Sequence, residues 1–249
     1  MTTATQTALG IDVGGTGVKG AVVDLTNGTV ISERFRIDTP EPGRPEAVAD
    51  TIVAVADYFE VDIPTGVAFP GVVLDGIVHT AANLHPEWIG LSLPDLVGAR
   101  LRGPTTFLND ADAAGLAEAH LGAAQGVQGL VLIVTLGTGI GVAMVNQGHL
   151  VANCELGHLE LDGRDAELIA AASARERRGQ TWQEWGSGAS RYLQHLENLV
   201  WPNLIVLGGG ITKNPEKWLH HLKTRTPLRI AHYINNAGIV GAAEAARSR

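Results

Sequence analysis

Two glycine-rich turns constrain the fold of this chain more than any other feature, because each joins two apolar runs typical of β-strands. The first turn lies within Asp12–Gly17 (DVGGTG), and the second lies within Leu136–Gly141 (LGTGIG). Glycine lets backbone N–H groups turn toward an anion without a Cβ in the way, and threonine adds a hydroxyl donor. Two such turns predict a duplicated architecture with two phosphate-binding hairpins that face each other.

The bulk properties are those of a globular chain with 249 residues and 45% apolar content, enough for one large domain or two small lobes. Its one cysteine, Cys154, excludes an internal disulfide and a multi-cysteine zinc site. Residues 1–8 lack the basic and apolar blocks of a secretory signal, and the uncharged stretch 129–145 is too short and glycine-rich for a membrane helix. We therefore expect a cytoplasmic protein with no membrane partner.

The net charge of −8 argues against broad nucleic-acid binding, but the charge is unevenly distributed. Residues 1–160 carry a balance of −12, whereas residues 161–249 carry +4. The basic C-terminal part fits either an ordinary solvated face or a track for a polyanion.

The alternation of apolar and polar residues predicts the order β-β-β-α-β-α twice, which indicates an α/β protein built on mixed sheets. The predicted strands cover residues 7–13, 18–25, 28–37, 65–69, 105–108, 128–136, 140–146, 148–151 and 203–207. The predicted helices cover residues 45–59, 111–124, 164–178, 181–198, 214–224 and 238–247. Since no low-complexity linker separates the halves, we expect two lobes that share a cleft.

The first glycine turn also matches the dinucleotide-binding spacing Gly15-x-Gly17-x-x-Gly20. That fingerprint requires a helix directly after the glycines, whereas residues 18–25 alternate and branch like a strand. No GxxxxGK[ST] segment is present, so the sequence has no P-loop either.

Three groups of polar residues each have a structural and a functional interpretation. Asp12 could fix its turn through backbone N–H groups or hold a water on Mg²⁺. Asn109 and Asp110, at a strand-to-helix junction, could cap the helix or place a carboxylate beside a sugar hydroxyl as a general base. Glu155 and His158 could be structural or could bind paired sugar hydroxyls. The residues alone leave these alternatives open.

Taken together, five motifs resemble the sugar kinases of the ROK family, which have the duplicated, two-lobed actin/Hsp70/hexokinase-like (ribonuclease H-like) fold. The motifs are DVGGT at 12–16, NDADA at 109–113, LGTGIG at 136–141, ELGH at 155–158 and LGGG at 207–210. The resemblance spans nearly the whole chain in the right order. It implies a smaller N-terminal lobe over residues 1–110, with a C-terminal helix at about 236–249 packing back on it, and a larger lobe over residues 111–235.

One departure from the family is informative. ROK kinases typically carry zinc-binding cysteines after the ELGH motif, whereas residues 159–178 contain none. This absence and the segment DGRDAE at 162–167 are similar to the polyphosphate glucokinase and polyphosphate/ATP-glucomannokinase branch. The resemblance implies phosphorylation of glucose, and of mannose, at O6 with inorganic polyphosphate and ATP as donors. It also implies Mg²⁺ carried by the donor, no zinc and a homodimer.

The resemblance further assigns roles to individual positions. Asp110 matches the general base, and the sugar ligands are Asn83, Asn109, Asp110, Glu155, His158, Glu167 and Gly71, with Glu160 as the alternative to Glu167. The phosphate-binding residues are Asp12, Gly14, Gly15, Thr16 and Lys19 in the first hairpin, Gly137 and Thr138 in the second, and Gly208, Gly209 and Gly210 near the donor's nucleotide or distal phosphates. No residue is expected to bind a resident metal. The basic candidates for a polyphosphate track are Arg164, Arg175, Arg177, Arg178, Lys213, Lys217, Lys223 and Arg225.

Two other functions are compatible with every core motif of the chain. One is a strictly ATP-dependent ROK kinase for another hexose, such as fructose or an N-acetylhexosamine. The other is a non-catalytic, sugar-sensing ROK relative. Such relatives carry an N-terminal helix-turn-helix segment, whereas only eight residues precede the first strand core here.

Overall fold

The computed structural model describes residues 6–247. The chain divides into two compact units, Met1–Ala117 with Asn236–Arg249, and Glu118–Asn235. The sequence-based boundary at residue 110 marks the start of a helix, and the division falls inside that helix, after Ala117. Residues 248 and 249, the end of the predicted segment 236–249, lie outside the described residues.

The elements follow one another along the chain in the order expected of two related halves. In the first half they are β1 (Thr7–Gly14), β2 (Gly17–Asp24), β3 (Thr29–Val30), β4 (Phe35–Asp38), α1 (Pro45–Asp57), β5 (Thr65–Phe69), β6 (Val73–Leu74), β7 (Ile77–Val78), α2 (Leu93–Leu96), β8 (Thr105–Asn109) and α3 (Asp110–His120). In the second they are β9 (Leu130–Leu136), β10 (Ile140–Asn146), β11 (His149–Val151), β12 (Glu160–Leu161), β13 (Arg164–Asp165), α4 (Glu167–Ala170), α5 (Ala172–Arg177), α6 (Trp182–Val200), β14 (Leu204–Gly208), β15 (Leu228–Ile230) and α7 (Ala237–Ala245). Short 3₁₀ turns lie at Pro86–Trp88, Gly98–Arg100, Leu156–His158, Gly210–Lys213, Pro215–Lys217 and Leu219–His221.

Both units contain a mixed sheet with the same plan. The first sheet runs β3-β2-β1-β5-β8, with β4 also paired to β2, and the second runs β11-β10-β9-β14-β15. In each, an antiparallel meander is continued by two parallel strands. This repeat confirms the duplicated α/β fold predicted from the two glycine turns.

Helix α7 packs directly on the first sheet through backbone contacts. A Cβ built on Gly10 of β1 would come within 1.9 Å of the Ile239 carbonyl oxygen, and one on Gly66 of β5 would come within 1.7 Å of the Ala242 carbonyl oxygen. Because glycine has no side chain, the helix backbone can approach the strands this closely.

The core of the second unit is built around fully buried aromatic rings. Trp185 of α6 packs edge-to-face on Trp218 at a centroid distance of 6.0 Å, and its indole N–H donates to the Ala170 carbonyl at 3.1 Å. Helix α6 begins with a capping box, in which Thr181 and Glu184 each accept from the other's backbone N–H. The helix is thereby fixed at its N-terminus and by its buried face.

The predicted strand at 28–37 is wrong as a single element, because it is broken between β3 and β4. The break has a local cause: the hydroxyl of Ser32 accepts from the Val22 N–H at 2.9 Å and takes the place of a backbone acceptor. Side chains of serine compete in this way with sheet hydrogen bonds.

Two predicted helices are also wrong. The segment 164–178 forms β13, α4 and α5, because Asp165 accepts from the Glu167 N–H at 2.8 Å and Ala171 adopts an extended ψ of 150°. The segment 214–224 forms two 3₁₀ turns around the buried Trp218, which leaves the helical region with a φ of −136° and donates to the Ile211 carbonyl at 2.9 Å. Burial of the indole outweighs helix propensity there.

Candidate active site

The first glycine hairpin joins β1 and β2 by a two-residue turn, Gly15-Thr16, and both turn residues are exposed. Protein donors hold the carbonyl oxygens of this turn. The Thr39 hydroxyl donates to the Gly14 carbonyl at 2.6 Å, and the Arg36 guanidinium donates to the Thr16 carbonyl at 2.7 Å. The carbonyls are therefore neutralised by the protein, which suits a turn that offers its amides to an anion.

Asp12 and Lys19 form a cross-strand ion pair at the base of this hairpin. Lys19 Nζ lies 3.0 Å from Asp12 Oδ2, and only 17% of the aspartate side chain is exposed. A Cβ on Gly238, in the first turn of α7, would come within 2.4 Å of the same oxygen. The carboxylate thus occupies space that a side chain at residue 238 would fill, beside a helix N-terminus that favours negative charge.

Asn109 ends β8 and is almost fully buried. Its Oδ1 accepts from the N–H groups of Ala111 and Asp112, at 2.8 and 3.1 Å, and its Nδ2 donates to the Gly71 carbonyl at 3.0 Å. The capping interpretation of Asn109 is thus confirmed, and the side chain also fixes the turn at Gly71. The amide of an asparagine has two N–H groups, and the bond to Gly71 uses one of them.

Asp110 begins α3, directly after Asn109, and its side chain is exposed. One carboxylate oxygen accepts from the Ala111 N–H at 2.8 Å. The residue lies at the carboxyl end of a parallel strand, the edge at which open α/β sheets bind ligands.

A continuous series of contacts joins these predicted residues within the first unit. A Cβ on Gly15 would come within 2.7 Å of the Asn83 side chain, so Asn83 lies against the hairpin turn. The next link is the Ala82 N–H, which donates to the Pro70 carbonyl at 2.8 Å. The residue after Pro70, Gly71, accepts through its carbonyl from the Asn109 side-chain amide. The hairpin, the 82–83 loop, the 70–71 turn and the β8–α3 corner are therefore adjacent in the first unit.

The second glycine hairpin, between β9 and β10, is built in a similar way in the second unit. Its turn, residues 137–139, is held by Ser173 of α5, whose N–H donates to the Gly137 carbonyl at 3.0 Å and whose hydroxyl donates to the Thr138 carbonyl at 2.5 Å. Arg177 in turn donates to the Ser173 hydroxyl at 2.7 Å. Each hairpin thus has a hydroxyl and an arginine that support its carbonyl side.

The glycine run at the end of β14 lies against this second hairpin. Gly209 has a φ of +84°, and a Cβ there would come within 2.6 Å of the Leu136 carbonyl oxygen. Gly208 pairs with Thr135 of β9, whereas Gly210 faces open space. Gly210 therefore presents exposed backbone beside the hairpin, and Gly209 has a positive φ that glycine adopts readily.

The turn that carries Glu155 and His158 packs on the start of β10. A Cβ on Gly157 would come within 2.0 Å of the Ile140 carbonyl oxygen, and the Tyr192 hydroxyl donates to the Leu156 carbonyl at 3.1 Å. The side chains of Glu155 and His158 are both about half exposed, and His158 Nε2 lies 4.0 Å from Glu155 Oε2. Contacts with its backbone hold the turn in place, while the side chains of Glu155 and His158 remain accessible to solvent.

His158 lies in a negative environment. Its Nδ1 is 2.8 Å from Asp165 Oδ2, and this hydrogen bond, together with the charges of Glu167, Asp165 and Glu155, raises the pKa of the imidazole despite partial burial. Glu167 accepts from the Ile140 N–H at 2.7 Å and so joins the same group. Glu160, the alternative sugar ligand, pairs instead with Asp165 in the β12–β13 hairpin.

The structure separates the basic candidates by what they contact. Arg175 stacks on Trp182 at 3.9 Å and Arg225 stacks on Trp201 at 4.0 Å, so both guanidinium groups have structural partners. Among these candidates, Arg177 is connected to the second hairpin, because it donates to the Ser173 hydroxyl that in turn donates to the Thr138 carbonyl.

Sequence reasoning missed four side chains of this site: Arg36, Thr39, Asp165 and Ser173. None belongs to a glycine motif, and each acts through tertiary contacts on a carbonyl or on another side chain. Only the Arg177-Arg178 pair, four residues after Ser173, gave a local signal of charge near this place.

Within residues 6–247, no group of three or more histidine, cysteine, aspartate or glutamate side chains is arranged to hold a metal ion. None of the helices in that range combines the length and the apolar content needed to cross a membrane.

Comparison with known proteins adds three findings. The sequence pattern of the ROK family matches residues 8–170. The chain is 48% identical to the polyphosphate glucokinase of Mycobacterium tuberculosis (strain CDC 1551 / Oshkosh), over 98% of this chain and 92% of that protein. The crystal structure of the inorganic polyphosphate/ATP-glucomannokinase from Arthrobacter sp. strain KM matches with a TM-score of 0.88 and 49% identity, over 95% of this chain and 96% of that one.

A more distant structure agrees in fold. A ROK family glucokinase from Streptomyces griseus, in complex with glucose and AMPPNP, matches with a TM-score of 0.80 and 24% identity, over 96% of this chain and 98% of that one.

Proposed function

Because this chain belongs to the ROK family, we propose that it transfers a phosphoryl group from inorganic polyphosphate to O6 of glucose, with mannose as a second acceptor and ATP as a second donor. The chain is a sugar kinase, a phosphotransferase, as its near full-length relatives at 48% and 49% identity indicate. A homodimer and a cytoplasmic location are part of the proposal and rest on resemblance to the family.

The observation that carries the proposal is the series of contacts from the first hairpin to the β8–α3 corner. In this series, Gly15 lies against Asn83, and Gly71 accepts from the Asn109 amide; the exposed Asp110 carboxylate follows Asn109 along the chain. A phosphate-binding turn and a carboxylate joined in this way are what transfer between a phosphoryl donor and a hydroxyl requires.

In the proposed reaction, the Asp110 carboxylate accepts the proton of the sugar 6-hydroxyl as O6 bonds to the terminal phosphorus of the donor. The bond from that phosphorus to the bridging oxygen breaks, and this oxygen stays with the shortened polyphosphate or with ADP. Backbone amides at Gly15, Thr16, Gly137 and Thr138 bind the phosphates. The chain's contribution is mainly positioning and electrostatic stabilisation.

Glu155, His158 and Glu167 are the proposed hydroxyl ligands from the second unit. Glu167 is preferred to Glu160 because its charge acts on His158 and its carboxylate touches the second hairpin. Carboxylates and an imidazole suit vicinal hydroxyls, which both donate and accept.

Magnesium is also part of the proposal, and the residues present fit an ion held mainly by the donor's phosphates and water. Asp12 is the carboxylate beside the first hairpin, in the space that Gly238 leaves open, and one carboxylate suits the way proteins bind Mg²⁺. The bound ion would neutralise charge on the phosphates.

Measurement of sugar phosphate formation, with each product identified by mass spectrometry, tests the proposal. Purified protein is given glucose with either long-chain polyphosphate or ATP, and then mannose, fructose and N-acetylmannosamine in place of glucose. We expect product with polyphosphate and glucose, and a lower rate with mannose. Activity with ATP alone, or only with fructose or the N-acetylated sugar, would contradict the proposed donor or acceptor. No turnover of any sugar would contradict a kinase.

A further inference from the structure

The side chain of Asp165 uses both carboxylate oxygens on residues of the candidate sugar site. Oδ2 lies 2.8 Å from His158 Nδ1, and Oδ1 accepts from the Glu167 N–H at 2.8 Å. One carboxylate therefore joins the imidazole to the first residue of α4. Asp165 lies within the DGRDAE segment at 162–167, but the family resemblance assigns no role to this residue.

A short hairpin brings Asp165 back to His158. Strands β12 and β13 pair Glu160 with Asp165, and the two residues between the strands, Asp162 and Gly163, have φ of +54° and +71°. Positive φ at both central residues is the signature of a type I′ turn, which fixes the register of a hairpin. Asp162 at the tip forms an ion pair with Arg191 of α6. The register of this tight turn determines the position of Asp165, whereas the ion pair at its tip is exposed and contributes little.

The contact between His158 and Asp165 determines which imidazole nitrogen carries the proton. A carboxylate only accepts hydrogen bonds, so Nδ1 must be the N–H that donates to Asp165. In the neutral ring, Nε2 is then an acceptor, and it is the nitrogen on the side of Glu155, 4.0 Å away.

We propose that Asp165 is a positioning residue of the hexose site: it keeps His158 in the tautomer whose Nε2 accepts from a sugar hydroxyl, and it fixes the turn from which Glu167 extends. This inference rests on the proposed function, in which His158 and Glu167 bind the sugar. Asp165 itself acts through these two residues.

The charged groups around His158 are consistent with this role. Asp165 lies on β13, Glu167 on α4 and Glu155 just before the 3₁₀ turn, and their charges raise the pKa of the imidazole. Tyr192 of α6, buried beside Glu167 and Asp165, has its pKa raised by burial and by these carboxylates, so it stays neutral. A raised imidazole pKa means that the acceptor form of Nε2 becomes populated as the pH rises through that value.

The test compares Asp165→Asn with the matched control Asp162→Asn on the same hairpin. In wild type, the two contacts use different carboxylate oxygens of Asp165. An asparagine has an NH₂ donor in place of one of these oxygens, so either His158 Nδ1 or the Glu167 N–H then faces a donor instead of an acceptor. We expect Asp165→Asn to raise the KM for glucose about 10-fold or more, a loss typical of a charged hydrogen bond, with a much smaller change in kcat. The control should keep the wild-type KM within about twofold, since surface ion pairs contribute little.

A pH profile and a spectroscopic measurement separate positioning from general loss of structure. The KM of the wild-type enzyme for glucose should fall as the pH rises through the raised pKa of His158, and in Asp165→Asn this inflection should move to lower pH. Imidazole ¹⁵N NMR of the wild-type protein should show the proton on Nδ1 in the neutral form, whether or not the enzyme is active on glucose.

The outcomes distinguish this inference from the proposed function. A wild-type imidazole protonated on Nε2 overturns the inference even if glucose is phosphorylated, as does an Asp165→Asn enzyme with the wild-type KM and pH profile. A protein with no kinase activity overturns the proposed function, and the inference about the hexose site falls with it. If Asp165→Asn fails to fold, Asp165→Glu replaces it, because the longer carboxylate keeps the charge and shifts its oxygens; an unchanged glucose KM in that variant also overturns the inference.

Discussion

The side chain of Glu167 is joined to the backbone of Ile140 by a hydrogen bond of 2.7 Å, in which the Ile140 N–H donates to the carboxylate. The carbonyl of Ile140 lies against Gly157, where a Cβ would come within 2.0 Å. Ile140 is the first residue after the second glycine turn. In the second unit, the proposed hydroxyl ligands and the phosphate-binding hairpin therefore share one backbone support.

Substitution of Gly139 by alanine should weaken glucose binding, although Gly139 lies in the phosphate hairpin. A Cβ at this position would come within 2.1 Å of Glu167 Oε1, so the carboxylate must move away from the Ile140 N–H. We expect the KM for glucose to rise about 10-fold, the size of effect expected for one charged hydrogen bond, and the donor KM to rise less.

The contrasting variant is Gly137→Ala in the same turn, where a Cβ meets nothing within 4 Å. It should leave the KM for glucose near the wild-type value and change only the donor KM. Steady-state kinetics with each substrate varied in turn measure both effects. Equal changes of the glucose KM in the two variants would refute the link through Glu167.

Substitution of Gly66 by alanine should destabilise the fold, because the new Cβ would come within 1.7 Å of the Ala242 carbonyl of α7. The obstacle is backbone, so the helix must shift as a whole. Overpacking of this kind costs about 1–3 kcal/mol or more, which lowers Tm by several degrees. Gly210→Ala, which meets nothing within 4 Å, is the control and should keep the wild-type Tm in a thermal unfolding scan. An unchanged Tm in Gly66→Ala would mean that α7 does not pack as described.

The glycine contacts illustrate what the sequence could and could not predict. The two glycine turns were found from sequence because strand alternation and glycine are local signals. The elements that were predicted wrongly depend on single tertiary contacts, such as Ser32 with Val22 and the buried indole of Trp218. A helix over 214–224 agreed with local propensity, but burial of Trp218 determines the backbone conformation of this segment.

The residues of the candidate site also fall into two groups, those that the sequence pointed to and those that it did not. Motif residues such as Asp110, Glu155 and His158 became candidates through their type and spacing, and the resemblance to the family then gave them their proposed roles. Asp165 and Ser173 were given no role, because each acts by holding another group. Asp165 holds the imidazole of His158 across a short hairpin, and Ser173 holds the carbonyls of a turn that is distant in sequence. Contacts of that kind leave no periodic or compositional pattern.

Stability should depend on pH through the His158–Asp165 contact. A pKa raised in the folded state means that the stabilising contribution is fully present below the ordinary histidine value of about 6.5 and is lost as the pH rises through the raised value. The difference in unfolding free energy between wild type and Asp165→Asn should therefore be larger at about pH 6 than at about pH 8.5. Urea unfolding at both pH values measures it, with Asp162→Asn as the control that should show no such trend. A larger difference at the higher pH would reverse the assigned sign.

Charge reversal beside the second hairpin should distinguish the two donors. Arg177 reaches this hairpin through Ser173, so Arg177→Glu with Arg178→Glu should repel a long polyanion more strongly than a single nucleotide. We expect a larger loss of kcat/KM with polyphosphate than with ATP, and a weaker salt dependence of the remaining polyphosphate activity. Lys213→Glu with Lys217→Glu tests the second basic segment in the same assay. Arg102→Glu, an exposed position in the first unit, is the control. Equal losses with both donors would argue against a separate polyphosphate track.

Replacement of Asp110 by asparagine tests the proposed general base. The amide keeps the size of the side chain and can still accept from the Ala111 N–H, so α3 should begin as before. It cannot accept the proton of the sugar 6-hydroxyl, and general base catalysis contributes about 10²-fold or more. We therefore expect glucose affinity measured by calorimetry to be retained while kcat falls by at least that factor with both polyphosphate and ATP. Asp112→Asn, two residues later on the same helix, reports on loss of helix structure, because Asp112 is buried. Near-normal turnover in Asp110→Asn would remove this carboxylate from the proton transfer, and lost glucose binding would instead make it a sugar ligand in the ground state.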